Sequence, residues 1–243
     1  MKIPFLDRKE EPTGESKGPS PLLGSEDPRF TEQFKNFSAR FESRVDATKA
    51  KIVAITSAVA GEGKTVSAVN LAMNLASTGR KRVLLVDADL RKTALAKVLQ
   101  LSPVPGLSEY LAGTAALKDT LRKSSVKGLA VIPGGARVPD PWGLIAGERF
   151  RAFPKAIRDH FDLILLDTPP IIPVSDTLAM RDLVDGFVLV YRLGFTPHPM
   201  FRQALEEIGE KKLLGVVLNA VKPPSHKHYQ KYYGEYYGSQ AQP

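Results

Sequence analysis

Between Lys51 and Leu218 the chain alternates short apolar runs with longer stretches whose apolar residues recur every three or four positions. The runs are Ile52-Val53-Ala54-Ile55, Val83-Leu84-Leu85-Val86, Leu129-Ala130-Val131-Ile132, Leu163-Ile164-Leu165-Leu166, Phe187-Val188-Leu189-Val190 and Leu214-Gly215-Val216-Val217-Leu218. Being apolar on both faces, they predict central strands of a mostly parallel α/β sheet with helices on both faces. The stretches between them predict helices near 64–78, 144–159, 175–183 and 198–210, with Gly79 closing the first. Upstream, Asp27-Pro28 reads as an N-cap followed by a first-turn proline, and Phe30, Phe34, Phe37 and Phe41 recur at helical spacing. That face predicts packing on the domain's own core, with docking on a neighbouring subunit as the alternative. No internal repeat is visible.

The flanks differ in kind. Residues 1–26 are rich in Pro, Gly, Ser and charge without an apolar period, and read as a flexible leader. Residues 223–243 lose their aliphatic side chains and read as a second flexible segment, which leaves 27–222 as one domain. Hydrophobic residues make up 43% of the 243 and charged residues 25%, which excludes wholesale disorder. There is no apolar run of membrane-spanning length and no secretory leader, so a cytoplasmic protein is expected. With no cysteine, disulfides, thiolate metal sites and cysteine nucleophiles are excluded. His226 and His228 read as solvated tail residues rather than metal ligands. The net charge of +8 is scattered in small groups such as Arg80-Lys81-Arg82, without a nucleic-acid signature, so no nucleic-acid partner is expected.

The chemistry begins directly after the first strand. Ser57-Ala58-Val59-Ala60-Gly61-Glu62-Gly63-Lys64-Thr65, followed by an apolar helix, is a Walker A phosphate loop in its expected context, and a P-loop NTPase fold follows from it. Gly61 and Gly63 permit the tight turn, and Ala60 to Val66 (Ala60, Gly61, Glu62, Gly63, Lys64, Thr65 and Val66) form the expected nucleotide cradle. Lys64 should bridge the β- and γ-phosphates of ATP while the Thr65 hydroxyl ligates Mg²⁺. Ala58 stands where the usual pattern has its first glycine. The fourth run ends in Asp167, placed to hold Mg²⁺ at the carboxyl edge of a parallel sheet. The second ends in Val86-Asp87-Ala88-Asp89, so three aspartates should converge there. At a two-residue spacing one of Asp87 and Asp89 could bind metal while the other accepts a proton; alternatively Asp89 merely pairs with Arg91 or Lys92.

Five of the seven tyrosines, Tyr229, Tyr232, Tyr233, Tyr236 and Tyr237, crowd the C-terminal segment among Gln, Lys, Gly and Glu. Accessible phenols beside a phosphoryl-transfer site point to the tail as phosphoacceptor, against the plainer reading of an aromatic contact tail.

With these motifs the chain resembles the bacterial tyrosine kinases (BY-kinases) of capsule and exopolysaccharide synthesis. The resemblance is carried by SAVAGEGKT, VLLVDADLR, LILLDTPP and the tyrosine cluster, supported by Pro105–Gly113 and Val184–Phe187. It implies ATP, Mg²⁺ and autophosphorylation of the tail. By motif position it makes Lys64, Asp87, Asp89 and Asp167 the catalytic set and Thr65, Asp87 and Asp167 the metal partners. It also implies a separate membrane activator of the polysaccharide co-polymerase type, a cognate phosphotyrosine phosphatase, and peripheral placement at the inner membrane face through that activator. The family's ring-forming ExxRxxR helix appears here as Glu32-x-x-Lys35-x-x-Ser38. Lys35 loses the bidentate fork and Ser38 the cation, so a homo-oligomer is expected with ring assembly unsupported. The ParA/MinD-like ATPase switches, the competing resemblance, carry a lysine five positions before the loop lysine, where this chain has Val59.

Overall fold

The computed structural model describes residues 28–221. The leader reading, Asp27, the tail histidines and the five clustered tyrosines lie outside those residues.

A single sheet orders its strands β3-β4-β2-β5-β1-β6-β7. The strands are β1 (Ile52–Ser57), β2 (Val83–Asp87), β3 (Arg122–Lys123), β4 (Leu129–Ile132), β5 (Leu163–Asp167), β6 (Gly186–Arg192) and β7 (Leu213–Asn219). All neighbours pair in parallel except β3 with β4. The six predicted runs are therefore strands, and only the two-residue antiparallel β3 was not anticipated. Each residue of β1, β2, β4 and β5 is buried, as strands sandwiched between helices must be.

Two layers of helices sandwich this sheet. On one face lie α1 (Pro28–Thr48) and α2 (Lys64–Ser77), whose Phe41, Val45, Val69 and Leu75 pack with Val53, Leu85 and Leu165. On the other lie α4 (Leu107–Ala112), α6 (Pro141–Ile145), α7 (Glu148–Ile157) and α9 (His198–Ile208), around Phe150, Phe153, Leu84 and Ile164. The single helix expected over 144–159 is two, parted at Ala146 and Gly147. A Cβ on Gly147 would press on the carbonyls of Gly143 and Leu144, a tight corner that period counting does not reveal. The helix expected over 175–183 shrinks to α8 (Asp176–Ala179). Gly79, at a φ of +68°, lies just past the α2 end and donates its amide to Ala76. Short helices α3 (Leu95–Val98) and α5 (Leu117–Thr120) complete the domain.

One expectation needs correcting. β7 is an edge strand, and Val216 (39% exposed) and Leu218 (60%) face solvent rather than a helix. The phenylalanine face of α1 divides accordingly. Its rings form a ladder with centroid spacings of 4.8, 6.2 and 6.2 Å, yet only Phe41 is buried, while Phe30, Phe34 and Phe37 are half-covered. Among the described residues no helix is long and apolar enough to cross a membrane.

Candidate active site

Strand order alone gathers the acidic motifs. β5 lies between β1 and β2, so the loop after β1 and the carboxyl ends of β5 and β2 meet at one edge, with Asp87 paired in register to Asp167. Residues 58–63 then turn the chain from β1 into α2. Gly61 and Gly63 adopt φ values of +86° and +93°, which L side chains rarely tolerate. A Cβ on Gly63 would also collide with the Asn219 amide. Gly63 caps α2 without any side-chain hydrogen bond, leaving the first-turn amides free for an anion.

Around this helix end the charged groups interlock. Lys64 Nζ lies 2.9 Å from Asp89 Oδ2, and the Thr65 hydroxyl donates to Asp167 Oδ2 at 2.7 Å. Asp87 Oδ2 accepts the Ala94 and Leu95 amides at 2.9 and 3.0 Å, anchoring the start of α3. All three aspartates are buried. Burial raises the Asp167 carboxyl to about 7, a rise that nearby Lys64 opposes and the neighbouring aspartates assist. Burial likewise raises Asp87 to about 6 against the pull of the two amides it accepts. For Lys64 burial alone would lower the pKa, but Asp167, Asp89 and Asp87 together hold the ammonium above its ordinary value. Two acceptors remain without any hydrogen bond, Asp87 Oδ1 and Asp167 Oδ1. Buried carboxylate oxygens are costly when unpartnered, so this pair suits an arriving cation or proton donor.

The structure thus brings Lys64, Thr65, Asp87, Asp89 and Asp167 together. Asp89 pairs with Lys64 and accepts the Lys92 amide at 3.0 Å, whereas Arg91 turns away to a bidentate pair with buried Asp176 at 2.7 and 2.9 Å. Ala60, Gly61 and Val66 are exposed along the loop. The Glu62 side chain turns away from the loop's outer face, its carboxylate wholly buried and directed into the protein, while its backbone stays in the turn. One oxygen accepts the Val59 amide at 2.7 Å, and the other takes the Thr196 hydroxyl and the Arg192 amide. Arg192 also donates to the Gly61 carbonyl at 3.0 Å, and Asn219 donates to the Glu62 carbonyl at 2.7 Å. Sequence reading did not pick out Thr196, Arg192, Asn219 or Asp176. Only Asn219 carried a signal, as a polar residue ending an otherwise apolar parallel strand.

Comparisons with known proteins point chiefly to one group. A family model described as "AAA domain" matches residues 50–185. Tyrosine-protein kinase CpsD of Streptococcus agalactiae is 36% identical over 194 residues, covering 79% of this chain and 84% of that one. Succinoglycan biosynthesis transport protein ExoP of Rhizobium meliloti is 33% identical over 78% of this chain, which spans only 25% of that longer protein. The kinase domain of the Escherichia coli tyrosine kinase ETK superposes with a TM-score of 0.79 at 27% identity, covering 89% of this chain and 86% of that one.

Proposed function

The chain belongs to the bacterial tyrosine-protein kinases, and from that premise we propose that it transfers the γ-phosphoryl group of ATP to the tyrosines of its own C-terminal segment, Tyr229, Tyr232, Tyr233, Tyr236 and Tyr237. The carrying observation is the pair of unpartnered oxygens, Asp87 Oδ1 and Asp167 Oδ1, buried beside the uncapped helix end that bears Lys64 and Thr65. That donor set suits Mg²⁺, which is held by few protein oxygens and completes its shell with water and substrate phosphates. Among the described residues no three acidic or histidine side chains form a ready-made metal cluster, and such a shell requires none. Thr65 and Asp167, with Asp87, would hold the ion, which supplies charge neutralisation at the phosphates.

The chain's own groups do the rest. Loop amides of 60–66 hold the phosphates, and Lys64 exchanges Asp89 for the β- and γ-oxygens, neutralising charge where it develops. Asp87 orients the incoming phenol and accepts its proton as the phenolic oxygen bonds to phosphorus and ADP departs. Asp89 receives Lys64 again once the site empties. In a cell we place this chemistry in the control of capsule or exopolysaccharide synthesis, with a separate membrane activator of the co-polymerase type and an opposing phosphotyrosine phosphatase. The membership and the kinship with a succinoglycan transport protein support that setting.

Incubation of the full chain with Mg·ATP, followed by intact and peptide mass spectrometry, tests the reading. Several phosphates on Tyr229 to Tyr237 are expected, with incorporation reduced about a hundredfold or more in Lys64→Ala and Asp87→Asn. Steady hydrolysis of ATP without phosphotyrosine, unchanged when an activator's cytoplasmic segment is added, would overturn it in favour of an ATPase switch.

A further inference from the structure

The outer margin of the fold carries a feature that the active site does not use. Where α1 passes over the edge strand β7, a groove of about 150 Å³ opens between Phe37, Arg40, Phe41 and Arg44 on the helix and Gly215 to Val217 on the strand. Its floor is apolar, and Arg40 and Arg44 stand on its helical wall. Being four residues apart, they share one side of α1. Both are exposed, and among the described residues no carboxylate, carbonyl or ring pairs with either guanidinium. The carboxylates nearest in sequence, Glu42 and Asp46, are held by Arg80 and Lys81 instead. An aromatic and aliphatic floor beneath two unpaired guanidinium groups matches an aryl phosphate, with ring below and dianion above.

The chain itself supplies that chemistry. β7 runs out of the sheet at Asn219, and Tyr229 to Tyr237 follow in the same chain. Tyr229 lies eight positions beyond Val221, a reach of about 26 Å when extended, while returning from Val221 to Gly215 needs about 20 Å. We propose that this groove is the docking site for a phosphorylated tyrosine of the chain's own C-terminal segment, with Arg40 and Arg44 holding the phosphate and Phe37, Phe41 and the β7 backbone holding the ring. Docking there draws the modified segment back along β7, away from the carboxyl end of that strand, where Asn219 meets the phosphate loop. A tyrosine that has reacted is thereby withdrawn from the site, and the phosphorylated chain is distinguished from the unmodified one by the position of its tail.

This assignment rests on the autokinase reading for its biological source of phosphate, so its test uses synthetic ligands. Fluorescent peptides spanning residues 226–240, with and without phosphate on the tyrosines, are titrated by anisotropy into phosphatase-treated full-length protein. The phosphorylated peptide is expected to bind about tenfold more tightly than the unmodified one. Arg40→Gln/Arg44→Gln should erase that preference while keeping the wild-type melting temperature, whereas Lys64→Ala should retain it, separating the groove from the phosphate loop. Equal affinity for the two peptides, or a preference that survives the double arginine substitution, would overturn the proposal. So would a double variant altered only in its oligomeric mass by light scattering, which would assign the groove to a second copy of the chain. Binding of the synthetic phosphopeptide by a protein that never phosphorylates itself would leave the groove in place and overturn the autokinase reading alone.

Discussion

The two ends of the strand series contrast sharply. At the carboxyl edge of β1, β2 and β5, charged groups are buried and held in place by named partners, with Asp87 Oδ1 and Asp167 Oδ1 left over for a ligand. Along the margin formed by β7 and α1, apolar side chains stand in solvent and Arg40 and Arg44 have no partner among the described residues. The first region is set by the fold, because strand order fixes its side chains around two oxygens kept for a ligand; the second is an exposed surface that another segment or molecule can cover. Affinity for nucleotide should therefore depend on interior packing, while association through the margin should be separable from stability.

Truncating equal apolar side chains in the two regions gives the widest separation. Leu165→Ala, in a strand covered on both faces, should cost about 2–5 kcal/mol in a denaturant titration. A cost near zero would mean that the centre is as loosely packed as the edge. Acid titration comes next. Asp87 and Asp167 have folded values of about 6 and about 7 against an ordinary 3.8. The folded form thus holds its protons longer than the unfolded chain, and the stability due to these groups is fully present below pH 4 and lost as pH rises through 7. Without nucleotide, Asp167→Asn should be more stable to unfolding than the parent at pH 8, by about 1 kcal/mol or more in a denaturant titration, and the gain should vanish near pH 4. A pH-independent difference would break the account of the buried acids.

Thr196→Val sharpens the picture at the site's rim. Leaving the buried Glu62 carboxylate short of one donor should cost about 1–3 kcal/mol and weaken nucleotide binding measured by calorimetry, with Thr196→Ser restoring both. At the low end, Leu218→Ser, at a position 60% exposed, should move stability by less than about 0.5 kcal/mol. A larger loss would show that the margin is already covered by the chain itself.

The sequence made the centre legible and the margin less so, for a physical reason. A parallel strand buried on both faces must be apolar throughout, and the runs at 52–55, 83–86 and 163–166 advertise that directly. β7 has the same composition without the same cover, so its apolar run misreads as interior. β3, at two residues, is too short to leave a pattern. In the site, Lys64, Thr65 and the three aspartates were legible because each lies at or just past a strand end or opens a helix, at a recognisable spacing. Thr196 and Arg192 were not, since their partner Glu62 lies some 130 positions away in the chain and no local pattern encodes a contact across loops. For Glu62, its place in the phosphate loop gave no hint that its carboxylate would turn inward to the donors of Val59, Arg192 and Thr196.

Asp87 divides its labour between its two oxygens. Oδ2 tethers the amides of Ala94 and Leu95, and Oδ1 makes no hydrogen bond at all. A cation or a phenol can therefore be met by the idle atom without releasing the backbone held by the other. Amide deuterium uptake at Ala94 and Leu95 should accordingly stay slow whether the site is empty or filled, so that this corner of the enzyme turns over as a rigid anvil rather than a hinge.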